Sequence, residues 1–161
     1  MSEILEPTPL PSGLVGNGMI YADTSVLVSL YMLDANTPRA VPLIRSLTQP
    51  LVYSALHRLE IRNAFSLAVF RGHQTQAQAN AAWQNLEADF RARVLVPISI
   101  RWHAALRRAA VIAASETPTL GSRSFDILHV ACAGQLGATE FLTFDQRQHR
   151  LATQLGFTVK P

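Results

Sequence analysis

Residues 19–31 read MIYADTSVLVSLY, and this stretch decides the fold that the rest of the chain completes. A short apolar run ends in a carboxylate, Asp23, and a second apolar segment follows at once. We expect a buried strand over 19–22 and then a helix from Thr24 or Ser25 to about residue 33, with a hydroxyl residue at its start. An ionised carboxylate in this position is costly to desolvate unless hydrogen bonds or a cation compensate for it.

The composition fits one compact domain. The chain has 161 residues, of which 48% are hydrophobic and 16% are charged, and this favours a tightly packed α or α/β fold over disorder. The single cysteine, Cys132, predicts neither a disulfide nor a zinc site. With no signal peptide or membrane-spanning run in the sequence, we expect a cytoplasmic protein without a membrane segment.

The charge points weakly to a negatively charged partner. The net charge is +3, and arginine supplies every basic residue except Lys160. Arginine binds phosphate as a planar fork, so this balance is compatible with a nucleic-acid substrate or an acidic protein partner. A charge of this size is also common in ordinary domains and decides nothing by itself.

The chain divides into an arm and a single domain. Residues 1–18 contain three prolines and three glycines without apolar periodicity, and we expect a disordered or loosely attached arm there. Strand-like and helix-like segments then alternate through 19–161, apart from a predicted loop at 116–124. The predicted strands are the short apolar runs at 19–22, 51–53, 94–98, 139–143 and 157–159. This alternation predicts parallel βαβ units with helices on both faces of the sheet.

Four acids are predicted at one edge of this sheet. Asp23 and Asp145 follow strands, whereas Glu60 and Asp126 fall in early turns of helices that begin at the same edge. Functional sites in such sheets lie outside the carboxyl ends of the strands. Because clustered carboxylates raise one another's pKa, a divalent cation would resolve the repulsion. Oxygen ligands without a Cys or His cluster favour Mg²⁺ or Mn²⁺ over zinc.

Each acid also has an ordinary structural interpretation. Asp145 matches the first position of a capping box, and Asp126 in a first turn suits the helix dipole. Glu60 borders the apolar stripe of its helix and would be solvated there. Asp23 is the hardest to explain without a ligand. Arg123, three residues before Asp126, is a candidate to hold phosphate or to pair with the acids.

Other site classes fit less well. A haloacid-dehalogenase-like phosphatase needs a second acid two positions after Asp23, where this chain has Ser25. A receiver domain needs an active-site lysine, and Lys160 lies at the extreme end of the chain. Three histidines share no ligand spacing and are assigned to the core or the surface: His57, His103 and His129.

The acids stand in motifs that resemble those of PIN domains, and more narrowly those of VapC-type toxins of toxin-antitoxin pairs. The matching stretches are MIYADTS, LHRLEIRNAF, RSFDILHVACAGQLG and FLTFDQRQHRLATQLGF. The resemblance covers the chain from Met19 onward. It implies a PIN-like three-layer α/β/α sandwich with a central, mainly parallel sheet.

The same resemblance implies a Mg²⁺-dependent endoribonuclease, with Mn²⁺ as a second suitable ion, that is inhibited by a cognate antitoxin and forms a homodimer. Carried over by position, Asp23 and Asp126 are the principal metal ligands, and Glu60 and Asp145 complete the acidic site. The supporting residues are Thr24, Ser25 and Arg123. The alternatives are a catalytically silent RNA- or protein-binding module and a PIN nuclease outside a toxin-antitoxin pair.

Overall fold

The computed structural model describes residues 18–161. Except for Gly18, the predicted arm at 1–18 lies outside the described residues. Within them the strands are β1 (Met19–Ala22), β2 (Leu51–Tyr53), β3 (Leu95–Pro97), β4 (Ala138–Leu142) and β5 (Thr158–Lys160). The helices are α1 (Thr24–Tyr31), α2 (Thr37–Arg45), α3 (Ala55–Phe70), α4 (Gln76–Arg91), α5 (Trp102–Leu120), α6 (Ser124–Gln135) and α7 (Gln146–Gln154).

The strands pair in parallel. β4 lies between β1 and β5, and β2 pairs with β3. β1 and β2 are neighbours although they belong to separate hydrogen-bonded sheets. His57, in the first turn of α3, bonds both to the carbonyl of Ala22 and to Ser54, so the carboxyl ends of β1 and β2 meet at the same edge.

Alternate residues of β1 point into two different cores. Met19 and Tyr21 pack with buried residues of α5, α6 and α7. Ile20 and Ala22 pack with buried residues of α1, α3 and α4. Because helices cover both faces, every residue of β1 is buried, which explains why the strand reads as a continuous apolar run. The predicted three-layer sandwich is confirmed.

The ends of α5 differ from the prediction. The sequence predicts that Ser99 caps this helix, but the helix begins at Trp102, after Arg101. It then continues to Leu120 through most of the loop predicted at 116–124. Leu120 packs against the core, and this burial favours continuing the helix past Pro118 despite the poor helix propensity of proline. Gly121 then ends the helix with φ 63°, a left-handed conformation suited to glycine.

The buried face of α5 agrees only in part with its predicted inward stripe, which comprises Trp102, Ala105, Leu106, Ala109 and Ala113. Ala105 and Ile112 are buried, whereas Trp102 is 37% exposed and Leu106 is 55% exposed. The other two alanines of the stripe are partly buried against the same core. No helix in residues 18–161 combines the length and apolar content needed to cross a membrane.

Candidate metal centre

Asp23 both follows β1 and caps α1. Its Oδ1 accepts hydrogen bonds from the Ser25 hydroxyl at 2.6 Å and the Val26 amide at 3.1 Å, and its Oδ2 accepts one from the Thr143 hydroxyl at 2.6 Å. The residue is only 3% exposed. Burial raises the pKa of Asp23, and these hydrogen bonds offset the rise only in part. The carboxylate is therefore held firmly but lacks full charge compensation.

Thr143 and Gln148 connect Asp23 to the beginnings of α6 and α7. The Thr143 hydroxyl accepts a hydrogen bond from the Asp145 amide at 3.0 Å and lies 3.1 Å from Oε1 of Gln148. Gln148 in turn donates to the backbone carbonyl of Asp126 at 3.2 Å. Both connecting side chains are buried. From the sequence, Gln148 is predicted only as the partner of Asp145 in a capping box, but its side chain donates to Asp126 instead. Thr143 has no predicted role, although a threonine directly after the apolar end of β4 was the available signal.

Asp126 and Asp145 occupy the first turn of α6 and the cap of α7. Asp145 accepts hydrogen bonds through Oδ1 from the amides of Arg147 at 2.7 Å and Gln148 at 3.1 Å, so it does cap α7. Oδ2 of Asp126 accepts one from the Arg123 amide at 3.3 Å. Partial burial raises the pKa of Asp126, and the negative charge of Asp145 raises it further. The two acids are therefore close enough to repel each other.

Glu60 is held by two neighbours that come from different elements. Its Oε2 accepts a hydrogen bond from the Thr24 hydroxyl at 2.8 Å, and Nε2 of His129 contacts the same oxygen. Burial raises the pKa of Glu60, but the hydrogen bonds from His129 and Thr24 outweigh it and leave this pKa below its usual value. The carboxylate is therefore ionised and oriented.

His129 is a residue that the sequence analysis missed. It is buried, as expected for a core histidine, but it also reaches Glu60. Its position three residues after Asp126 places both on one face of α6, and this spacing was the available signal. The imidazole lowers the pKa of Asp23, Glu60 and Asp126 alike. It is therefore near three of the four acids predicted at this edge.

The acids are arranged as three separate units. Asp23 lies among hydroxyl groups, Glu60 contacts His129, and Asp126 lies near Asp145. Within residues 18–161, no three His, Cys, Asp or Glu side chains are close enough to form a metal-binding group in this arrangement. Arg123 is exposed, and its positive charge lowers the pKa of Asp126.

The donor set nevertheless fits a hard divalent cation. Among the described residues, Glu60 accepts hydrogen bonds through Oε2, Asp126 through Oδ2 and Asp145 through Oδ1. One oxygen of each carboxylate is therefore left for an ion, and carboxylate oxygens are the ligands that Mg²⁺ and Mn²⁺ prefer. The amino-terminal ends of α1, α6 and α7 offset part of the repulsion between the acids, and an ion would offset the rest.

Aromatic and basic side chains border the acids. The guanidinium carbon of Arg39 lies 5.1 Å from the ring centre of Phe144, and the Phe144 amide donates to the Ser25 hydroxyl at 3.0 Å. Phe125 precedes Asp126 and is 51% exposed. Exposed aromatic rings and arginines are the groups on which unpaired bases stack and to which phosphates bind.

Comparison with solved structures gives several chains of similar fold. VapC20 of Mycobacterium tuberculosis, described as a sarcin-ricin loop cleaving toxin, has a TM-score of 0.65 at 19% identity, with 89% of this chain and 100% of that chain covered. FitAcB of Neisseria gonorrhoeae has a TM-score of 0.63 at 22% identity, with 89% and 97% covered. VapBC2 of Rickettsia felis, bound to a DNA fragment from their promoter, has a TM-score of 0.57 at 15% identity, with 88% and 98% covered. At these identities the likeness shows a shared fold.

Comparison with protein families identifies the chain more directly. None of the curated proteins matches the sequence. The family model of the PIN domain matches residues 20–154, a range that begins in β1, ends with α7 and includes all four predicted site acids. Because this match spans most of the sequence, the chain belongs to the PIN domain family.

Proposed function

We propose that this protein is a metal-dependent endoribonuclease that acts in the cytoplasm as the toxin of a toxin-antitoxin pair. The observation that carries the proposal is the position of Asp23, Glu60, Asp126 and Asp145 around the carboxyl ends of parallel strands, where three of them keep an oxygen for a cation. The family match supports a hydrolase of the nuclease type.

The proposed chemistry depends on carboxylates that neighbouring side chains orient. The residues that would hold Mg²⁺ or Mn²⁺ are Asp23, Asp126, Glu60 and Asp145. When bound, such an ion lowers the pKa of a water molecule and stabilises negative charge on a phosphodiester. Ser25 and Thr143 hold Asp23, and His129 holds Glu60. These hydrogen bonds therefore orient Asp23 and Glu60 before an ion arrives, and oriented groups contribute to electrostatic stabilisation.

The border of the site supports a single-stranded RNA substrate. Exposed Phe125 offers a ring on which an unpaired base would stack. Arg39 is exposed and its guanidinium lies over the Phe144 ring, so it is a candidate to bind phosphate oxygens. Arg123 is exposed beside Asp126 and is a further candidate for a phosphate contact.

The proposal includes protein partners. The resemblance to VapC-type toxins implies a cognate antitoxin and a homodimer. Trp102 and Leu106 are exposed one turn apart on α5, and a contiguous apolar patch on a protein surface marks a place where another protein packs. This surface supports a protein partner without distinguishing a second copy from an antitoxin.

The first prediction concerns metal dependence. Purified wild-type protein is expected to cleave end-labelled single-stranded RNA in Mg²⁺ or Mn²⁺, to stop when EDTA is added, and to resume when excess Mg²⁺ is restored. Single-stranded DNA of the same sequence serves as the substrate control. Cleavage that persists in EDTA would contradict the proposal. RNA binding without cleavage in either metal would instead support the catalytically silent module.

The second prediction concerns the toxin role. Expression of this chain alone is expected to arrest bacterial growth, and co-expression of the product of the neighbouring gene is expected to restore it. The Asp126→Asn variant, produced at the same level, should not arrest growth because it lacks a proposed metal ligand. Equal growth with and without the neighbouring gene product would contradict the toxin role. If the protein still cleaves RNA, that result would favour a PIN nuclease outside a toxin-antitoxin pair.

A further inference from the structure

Tyr21 is a buried polar residue in the middle of β1 that the proposed chemistry does not use. Its side chain is fully buried, and its ring stacks on Phe141 with centroids 5.5 Å apart and lies 5.0 Å from the ring of His57. Burial raises the pKa of Tyr21, so the hydroxyl keeps its proton. A buried hydroxyl needs a partner, and the Tyr21 hydroxyl lies 2.8 Å from Nδ1 of His129.

The other nitrogen of His129 faces Glu60. Nε2 contacts Oε2 of Glu60 and lies 3.2 Å from the Thr24 hydroxyl, which itself donates to the same glutamate oxygen. An ionised carboxylate only accepts hydrogen bonds, so Nε2 must carry a proton. When the imidazole is neutral, Nδ1 is then the acceptor for the Tyr21 hydroxyl. The hydrogen-bond partners thus select one of the two tautomers of the neutral ring.

We propose that Tyr21 is a positioning residue, whose hydroxyl fixes the tautomer of His129 so that Nε2–H holds Oε2 of Glu60 and leaves Oε1 for the metal ion. This inference rests on the proposed metal site. In the opposite tautomer, the Nε2 lone pair would face the Glu60 carboxylate, and the two acceptors would repel each other. Hydrogen bonds of this kind behind a metal ligand change metal affinity by about 10- to 100-fold.

The chain offers a matched control for this role. Tyr21→Phe keeps the stacked ring and removes only the hydroxyl group. Tyr53→Phe makes the same change on β2, in a residue that is also buried and that stacks on His57 with centroids 6.1 Å apart. The control leaves the bond between Tyr21 and His129 intact. A general effect of removing an oxygen from a buried ring would therefore appear in both variants, whereas the effect of losing the hydrogen bond to His129 would appear only in Tyr21→Phe.

Two measurements test the inference, and neither depends on RNA cleavage. Calorimetric titration with Mn²⁺ is expected to give a dissociation constant about tenfold higher for Tyr21→Phe than for wild type, and an unchanged value for Tyr53→Phe. Nitrogen NMR at mildly alkaline pH is expected to report the Nε2–H tautomer of His129 in wild type and a mixture of tautomers in Tyr21→Phe.

A double-mutant comparison separates positioning from packing. His129→Gln keeps a side-chain N–H donor but has no ring tautomer for Tyr21 to fix. In that background Tyr21→Phe should weaken Mn²⁺ binding by less than about twofold, because coupled residues are not additive. If Tyr21→Phe weakens Mn²⁺ binding tenfold both in wild type and in His129→Gln, the role of Tyr21 is packing, and the inference is overturned.

Further outcomes would also overturn it. They are Mn²⁺ binding by folded Tyr21→Phe that is as tight as in wild type, and a wild-type His129 with its proton on Nδ1. The NMR result applies even if the variant fails to fold, since it needs only wild-type protein. Failure of wild type to bind Mn²⁺ would instead contradict the proposed function and the inference together, so the two failures are distinguishable.

Discussion

Replacing Asp23 with asparagine is expected to reduce RNA cleavage by about 1,000-fold or more while the protein stays folded. The change removes the charge of a proposed principal metal ligand, and a metal ion in such a site contributes several kcal/mol to transition-state stabilisation. A loss of about 4 kcal/mol corresponds to this factor. The effect should appear in the rate of cleavage of end-labelled RNA at saturating Mg²⁺.

The hydrogen bonds around Asp23 explain why the variant should fold. An asparagine oxygen can accept from the Ser25 hydroxyl and the Val26 amide as Oδ1 does now. The asparagine N–H can then donate to the Thr143 hydroxyl, whose own proton turns to Gln148 at 3.1 Å. Because burial raises the pKa of Asp23, the charged form opposes folding. We therefore expect the melting temperature at neutral pH to be equal to or above that of wild type.

Asp89→Asn is the matched control for this variant. Asp89 lies on α4 and accepts a hydrogen bond from the Tyr31 hydroxyl at 2.8 Å, so it is also a structured carboxylate. Its partner Tyr31 is the last residue of α1, at the opposite end of that helix from Asp23, and the control should cleave RNA like wild type. A folded Asp23→Asn protein with wild-type cleavage that EDTA still stops would remove Asp23 from the site.

Replacing His57 with leucine is expected to destabilise the protein by about 2–6 kcal/mol at neutral pH. The Ser54 amide donates to Nδ1 of His57 at 3.1 Å, and Nε2 donates to the carbonyl of Ala22 at 2.8 Å. Leucine removes the partner of both buried backbone groups, and each such loss costs about 1–3 kcal/mol. These bonds join the carboxyl ends of β1 and β2, so the loss should also disturb the position of Asp23.

The same variant should change the pH dependence of stability. Burial and the nearby His129 lower the pKa of His57 to about 3, from an ordinary value of 6.5 that the unfolded chain retains. At a pH between these two pKa values, His57 is protonated in the unfolded chain but neutral in the folded protein. The contribution of His57 to the free energy of unfolding is therefore complete above pH 6.5. It is lost as the pH falls below this value, by up to about 1.4 kcal/mol per pH unit. The difference in free energy of unfolding between wild type and His57→Leu should therefore become smaller as the pH falls below 6.5.

Urea unfolding of both proteins across this pH range measures the effect. Subtracting the free energy of unfolding of the variant from that of wild type at each pH removes most of the contribution of the carboxylates, because they titrate in both proteins. His103→Leu is the matched control, because His103 is exposed on α5, and surface substitutions usually change stability by less than about 0.5 kcal/mol. A constant difference at every pH would show that His57 does not remain neutral in the folded protein.

Much of the fold was predictable because its signals are local. β1 and β2 have the predicted bounds, since apolar runs buried on both faces stand out from their surroundings. The Ser54 cap of α3 and the Asp145 cap of α7 are contacts within one turn. On α5 the prediction was wrong for Trp102 and Leu106, which are exposed, because periodicity gives an apolar stripe but not which part of it meets a neighbouring helix.

The sequence by itself determined that acids follow strands and begin helices, and so placed Asp23 and Asp145 at one edge of the sheet. Only the tertiary structure decided which side chains support them. Thr143 meets Asp23 across 120 residues, and Tyr21 meets His129 across 108. These contacts exist because β4 pairs with β1 and α6 packs on the same core as Tyr21. Local patterns fix caps and faces within a few turns, whereas the pairing of distant elements depends on how the whole chain buries its apolar surface.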